Sequence, residues 1–245
     1  HGHGEQQRPT GGMGQPNGEL AVFLARGAGR ARLDVAGLGA SVGHGGASGY
    51  LAAMALLGIA PEIMKPTALT LNILVAAIAT FKFYRTGYFS RAIFLPFAIA
   101  SVPFAFLGGR LSLPSYIYKP VVGLILLWTA YRLFFKNKTL APEAVKPISI
   151  TIATLAGMVI GLLSGLTGVG GGIFLSPLLL FMGWSQPRQT AAISAPFILV
   201  NSIAGLLGHF SSVATLPNTI YIWGIAAIIG GWIGSEYGSR RLGNL

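Results

Sequence analysis

The sequence predicts an all-α integral membrane protein built from two inverted-topology repeats of about four transmembrane helices, each repeat holding a helix broken by glycines. Three observations carry this. Of the 245 residues, 53% are hydrophobic and 9% charged, with a mean hydropathy of +0.66. Soluble proteins average about 25% charged residues, so this chain has too few to coat a water-facing surface. A glycine pattern also recurs at a fixed distance, and the basic loops alternate between the two faces.

In order along the chain, residues 1–34 are polar, glycine-rich and without period, which predicts a disordered or atypical N-terminal segment. Its apolar run, 20–25, is too short to span, and Arg26, Arg30 and Arg32 follow at once. Residues 35–59 hold the first glycine-broken unit. Apolar runs at 67–83, 92–109, 120–135, 148–166, 191–209 and 219–235 are long enough to cross a bilayer, which takes roughly 17 to 25 residues. The run 170–183 is too short for a comfortable crossing. This divides the chain into a first repeat at 35–136, a basic cytoplasmic linker at 137–147 and a second repeat at 148–245. By this pairing the first span is degenerate and the last span of the second repeat is missing.

The second repeat turns on residues 161–184, GLLSGLTGVGGGIFLSPLLLFMGW, where Gly168, Gly170, Gly171 and Gly172 interrupt an otherwise apolar run. Each glycine costs about 1 kcal/mol in a helix interior relative to alanine, so the cluster predicts a break. Non-helical backbone at membrane depth survives only where protein or water covers it, and broken helices are what transporters build substrate sites from. The other reading is close helix packing. Against it, the four glycines fall within five positions, not at four-residue spacing. The first repeat carries the counterpart, with Gly43, Gly45, Gly46 and Gly58 each 125 positions before Gly168, Gly170, Gly171 and Gly183. Downstream, Asn72 pairs with Asn201 after a four-residue insertion.

Short loops rich in Lys and Arg stay cytoplasmic. One consistent assignment puts Lys82, Arg85, Arg91, Arg132, Lys136, Lys138, Lys146, Arg188, Arg240 and Arg241 inside, and Lys65, Arg110 and Lys119 outside. The loop after 67–83 is then inside and its counterpart, 210–218, outside, which makes the copies inverted. Lys82 is expected to snorkel. Arg188 reads as a solvated loop charge, and Lys65 as a charge steering anions at one mouth. Trp184, Trp223, Trp232 and the tyrosines, Tyr118 included, are expected to anchor at the interfaces.

The paired glycine motifs, with Ser-Gly-Tyr-Leu-Ala (48–52) after the first and Pro177 after the second, resemble the TauE/SafE family of sulfite exporters. The run Lys65-Pro66-Thr67-Ala68-Leu69-Thr70-Leu71-Asn72 adds to the likeness, which covers about residues 37–238. The resemblance implies two inverted four-helix bundles and export of sulfite, sulfoacetate or a related small sulfur-containing anion across the cell inner membrane.

A broken helix offers free N–H groups and the positive end of its dipole, both of which attract anions. The expected substrate-binding residues are therefore Gly43, His44, Gly45 and Gly46 in the first break and Gly168, Gly170, Gly171 and Gly172 in the second. Ser48, Thr67, Asn72, Ser194 and Asn201 are expected to line the cavity. His44 donates to the anion or carries a coupling proton, or simply bonds a backbone carbonyl. Sodium is the alternative coupling ion, held by backbone carbonyls.

Other classes fare poorly. There are no cysteines, so disulfides and thiolate chemistry are excluded. The six acidic residues supply no paired carboxylates in the spans, so no enzyme chemistry, catalytic set or cofactor is expected. The net charge of +11 comes from basic residues scattered singly, not from a nucleic-acid stripe. Two readings remain: a secondary transporter exporting a small anion by alternating access, and a membrane scaffold whose glycines only pack helices.

Overall fold

The computed structural model describes residues 47–56, 58–59, 61–111, 113–134, 146–209 and 220–241, which form eight α-helices. They are α1 (Ala47–Leu56), α2 (Pro61–Tyr84), α3 (Arg91–Arg110), α4 (Ser115–Phe134), α5 (Ile150–Thr167), α6 (Gly172–Phe181), α7 (Pro187–Gly208) and α8 (Ile220–Arg241). The expectations for residues 1–34, for Gly43, His44, Gly45 and Gly46, for most of the basic linker and for residues 210–218 lie outside the described residues. Helices α2, α3, α5 and α7 are each long and apolar enough to cross a membrane. Their outward faces carry exposed Leu95, Ile99, Leu155 and Val159, as a lipid-facing surface requires.

Helix directions follow from which residues meet. Helix α5 runs parallel to α3 at very close approach. A Cβ at Gly157, Gly161 or Gly165 would strike the backbone at Phe97, Ser101 or Ala105 respectively. Here glycine does occur at four-residue spacing, and it packs backbone on backbone. Helix α7 is also parallel to α3, with Phe97 and Phe197 edge to face at 6.5 Å near one end and Gly109 on Gly205 near the other. Helix α2 runs antiparallel to α7: Leu69 lies beside Gly205, while Ala79 and Phe83 cluster with Ala191, Ala192 and Ala195. Helix α8 is parallel to α2, with Val75 beside Gly231 and Lys82 pairing with Glu236 at 2.7 Å.

The two breaks in helix length match at their far ends. Helices α1 and α6 are both ten residues long and offset by 125. Each closes on a glycine in the left-handed region, Gly58 at φ 68° and Gly183 at φ 67°. The N–H of Gly58 bonds the Ala55 carbonyl and that of Ile59 the Met54 carbonyl. The N–H groups of Gly183 and Trp184 bond Leu180 and Leu179 in the same pattern. This is the left-handed helix cap that glycine favours.

Hydrogen bonds tie the helix ends at both faces. On one, Arg188 donates to the Tyr88 hydroxyl at 2.7 Å and the Lys146 N–H to the Gly183 carbonyl at 2.9 Å. Arg85, in the turn after α2, and Arg91, at the start of α3, lie in the same layer. On the other, Lys65 donates to the Leu111 carbonyl at 3.0 Å and His209 Nδ1 meets the Gly109 carbonyl at 2.9 Å.

Several sequence expectations are corrected. Lys65 is no loop charge at a mouth, because α2 begins at Pro61 and carries Lys65 and Pro66 inside it. The lysine is 3% exposed, its ammonium 5.4 Å from the Tyr118 ring centre. Tyr118 and Trp184 are not interfacial anchors. Both are buried, Tyr118 donating to the Thr167 carbonyl at 3.0 Å and Trp184 packing on Phe97. Lys82 does more than snorkel: besides Glu236, it donates to the Trp232 carbonyl at 2.9 Å and lies 4.1 Å from that ring's centre. Arg188 lies in the first turn of α7, not in a loop.

Candidate anion site at the glycine break

Helix α5 stops where the sequence removes its side chains. Gly168 takes φ 82° and caps the helix, its N–H reaching the Ser164 carbonyl at 2.9 Å. Gly170 and Gly171 follow at φ 82° and 81°. An L side chain at such angles costs about 1–2 kcal/mol, so three left-handed residues in four demand glycine. Helix α6 then starts at Gly172 and returns antiparallel to α5, so that Gly183 ends beside Lys146 near the start of α5. The chain thus re-enters the layer that it crossed. At 1.5 Å per residue, the ten residues of α6 cover about 15 Å, so the break lies deep within the protein.

The backbone at this turn is left open. The Gly171 carbonyl accepts from Phe174 and Leu175, both at 3.1 Å. The N–H groups of Val169, Gly170, Gly171, Gly172 and Ile173 meet no acceptor among the described residues, and all five residues are buried. Buried N–H groups without partners are rare, because each costs the desolvation of a donor. Five fall in succession here, at the N-terminus of a helix, where free N–H groups and the helix dipole both favour an anion.

Side chains from three helices converge on the same turn. Asn72 on α2 donates from Nδ2 to the Gly168 carbonyl at 3.1 Å. Seen from the Cβ direction of Gly170, the nearest atoms are Ile198 Cγ2 at 2.9 Å, Ser202 Oγ at 3.0 Å and Asn72 Nδ2 at 3.1 Å. From that of Gly171 they are Phe197 Cε1 at 3.0 Å, Ile160 Cγ2 at 3.1 Å and Ser164 Cβ at 3.5 Å. Asn201 donates to the Phe197 carbonyl, one turn back in α7, at 2.8 Å. It shares a helix face with Phe197. Asn72, Ser164, Asn201 and Ser202 are fully buried, yet Asn72 Oδ1, Ser164 Oγ, Asn201 Oδ1 and Ser202 Oγ have no partner.

Of the residues expected from sequence, Gly168, Gly170, Gly171, Gly172 and Asn72 meet at this turn, with Asn201 one residue from Ser202. Ser194 is close by but already paired, its hydroxyl 2.9 Å from that of Ser176 on α6. Thr67 is buried with a free hydroxyl, on the face of α2 that it shares with Leu71 and Leu74 rather than with Asn72. Ser48 falls in the first turn of α1. Sequence reasoning missed Ser164 and Ser202. The only signal was their spacing, four residues before Gly168 and one after Asn201. The backbone of Lys65 passes this turn, its Cα 3.2 Å from the Cβ direction of Gly168, while its ammonium donates to the Leu111 carbonyl at 3.0 Å.

The sequence description of the sulfite exporter TauE/SafE family matches residues 35–244. The chain is 45% identical over 206 residues to a probable membrane transporter protein, y4hK, of Sinorhizobium fredii, covering 83% of each chain. It is 24% identical over 203 residues to a probable membrane transporter protein, YunE, of Bacillus subtilis, covering 74% of this chain and 72% of that one. No solved structure gives a significant match.

Proposed function

This chain belongs to the sulfite exporter TauE/SafE family, and from that premise we propose that it exports a small sulfur-containing anion by alternating access. Sulfite, sulfoacetate and related organosulfonates are the substrate class, and the cell inner membrane is the location. The single observation that carries this reading is the run of five buried, unpartnered N–H groups at 169–173. Such donors hold an oxyanion without a buried arginine, so the ligand can also leave.

The remaining parts fit a carrier. Residues 35–136 and 148–245 act as the two repeats. The antiparallel packing of α2 against α7, each opening on proline and carrying a buried asparagine, supports inverted topology. Gly43, His44, Gly45, Gly46 and Ser48 would contribute the matching half of the site, with Thr67 and Ser194 lining the approach. The scaffold reading is less favoured, because the packing glycines at 157, 161 and 165 are distinct from the left-handed ones of the break.

The test is flux. Protein reconstituted into vesicles loaded with labelled sulfite or sulfoacetate should show saturable efflux that external substrate accelerates. Efflux equal to that of protein-free vesicles for every anion of the class would overturn the proposal. Flux that never saturates would make the protein a channel.

A further inference from the structure

Asn72 at the break, and Asn201 beside Ser202 on α7, are both fixed in orientation by their neighbours. Asn72 and Asn201 each place a side-chain nitrogen on a backbone carbonyl, Gly168 at 3.1 Å and Phe197 at 2.8 Å. A carbonyl can only accept, so turning either amide over would set two acceptors against each other. One N–H of each carboxamide is thereby occupied, which fixes the amide's orientation and leaves its Oδ1 buried and without a partner among the described residues. The site therefore offers two kinds of unused capacity: backbone N–H donors at 169–173, and carbonyl acceptors on Asn72 and Asn201. A bare oxyanion satisfies only the first and meets the carbonyl oxygens with repulsion. A sodium ion satisfies only the second and meets the N–H groups with repulsion. The hydroxyls of Ser164 and Ser202 serve either way, since they donate or accept.

We propose that the site takes a singly protonated oxyanion, with its charged oxygens on the amides of the break and its O–H donating to the carbonyl oxygen of Asn72 or Asn201. This rests on the break being the anion site. It adds that the proton travels with the substrate, so each export event moves one proton without calling on a titrating side chain among the described residues of the break. The surroundings agree. Helices α5 and α6 carry no titratable side chain, and those of α3 and α7 (Arg91, Arg110, Arg188, His209) lie at or just beyond their ends. On α2, Glu62 and Lys65 lie in the first two turns and Lys82 and Tyr84 at the far end, while Tyr118 of α4 is engaged with the Thr167 carbonyl.

The experiment is ligand-dependent melting of the purified full-length chain in detergent. Sulfite is titrated at a series of pH values spanning its second ionisation. Two monoanions whose charge does not change in that range, methanesulfonate and hydroxymethanesulfonate, are titrated alongside. The half-saturating total sulfite concentration should rise tenfold per pH unit above that ionisation. Hydroxymethanesulfonate, which carries a donor, should bind at least tenfold tighter than methanesulfonate, by a ratio that pH does not alter. Asn201→Ala should narrow that ratio; if this variant does not fold, the wild-type ratio and pH series decide alone. Half-saturation by sulfite that stays flat or falls with rising pH, or equal binding of the two sulfonates, would overturn the protonated-anion inference while leaving the anion site intact. No response to any of the three would overturn both.

Discussion

Asn72 on α2 reaches across 96 positions of sequence to hold the Gly168 carbonyl at 3.1 Å, so the break that ends α5 is pinned to a helix of the other half of the chain. The bond is buried.

Removing that side chain should be felt twice. Asn72→Ala strands a buried carbonyl, which costs about 1–3 kcal/mol, and it frees the break to move. A lower melting temperature together with weaker stabilisation by sulfite is the expected result, read by thermal melting with and without the anion.

The matched caps give a second prediction. Gly58 and Gly183 have almost the same φ, 68° and 67°, and a Cβ at either would meet nothing closer than 3.7 Å. Gly58→Ala and Gly183→Ala should each cost about 1 kcal/mol, from backbone strain alone. Melting of the two variants should shift by the same amount. A large loss at one and none at the other would contradict the equivalence of α1 and α6.

Topology is the third. The chain has no native cysteine, so single cysteines report cleanly. One at Thr86, in the turn after α2, should react with an impermeant thiol reagent only from the cytoplasmic side. One at Ser212, in the segment between α7 and α8, should react only from outside. Labelling of both from the same side would contradict inversion.

Much of this was legible in the sequence because glycine leaves a local mark. The break at 168–172 and the cap glycines stand out where an apolar run loses its side chains, and the structure ends α5 and starts α6 there. The start of α2 was harder to read. The apolar run begins only at Thr67, whereas the helix opens at Pro61 and holds Pro66 in its second turn. Burial was the least legible. Trp184 and Tyr118 lie near helix ends in sequence, but the packing of α3 and α5 around the first, and of α1, α2 and α6 around the second, makes them core. Ser164 and Ser202 looked like any hydroxyl in a membrane helix, because an unpartnered oxygen can be recognised only once its neighbours are placed.

The most direct test is Ser202→Ala. The Ser202 hydroxyl is fully buried, has no partner and lies 3.0 Å from the Cβ direction of Gly170. If it exists for the ligand, deleting it should leave unliganded stability within about 0.5 kcal/mol of wild type, or raise it, since an unpaired buried hydroxyl only costs. Binding should nonetheless suffer, because a hydrogen bond to a charged group is worth about 1.5–3 kcal/mol, on the order of tenfold or more in affinity. The measurement is the melting temperature of Ser202→Ala and wild type across a sulfite titration. Unchanged melting without ligand and a half-saturating concentration raised about tenfold is the predicted result. A full wild-type response to sulfite would contradict an anion site at the glycine break.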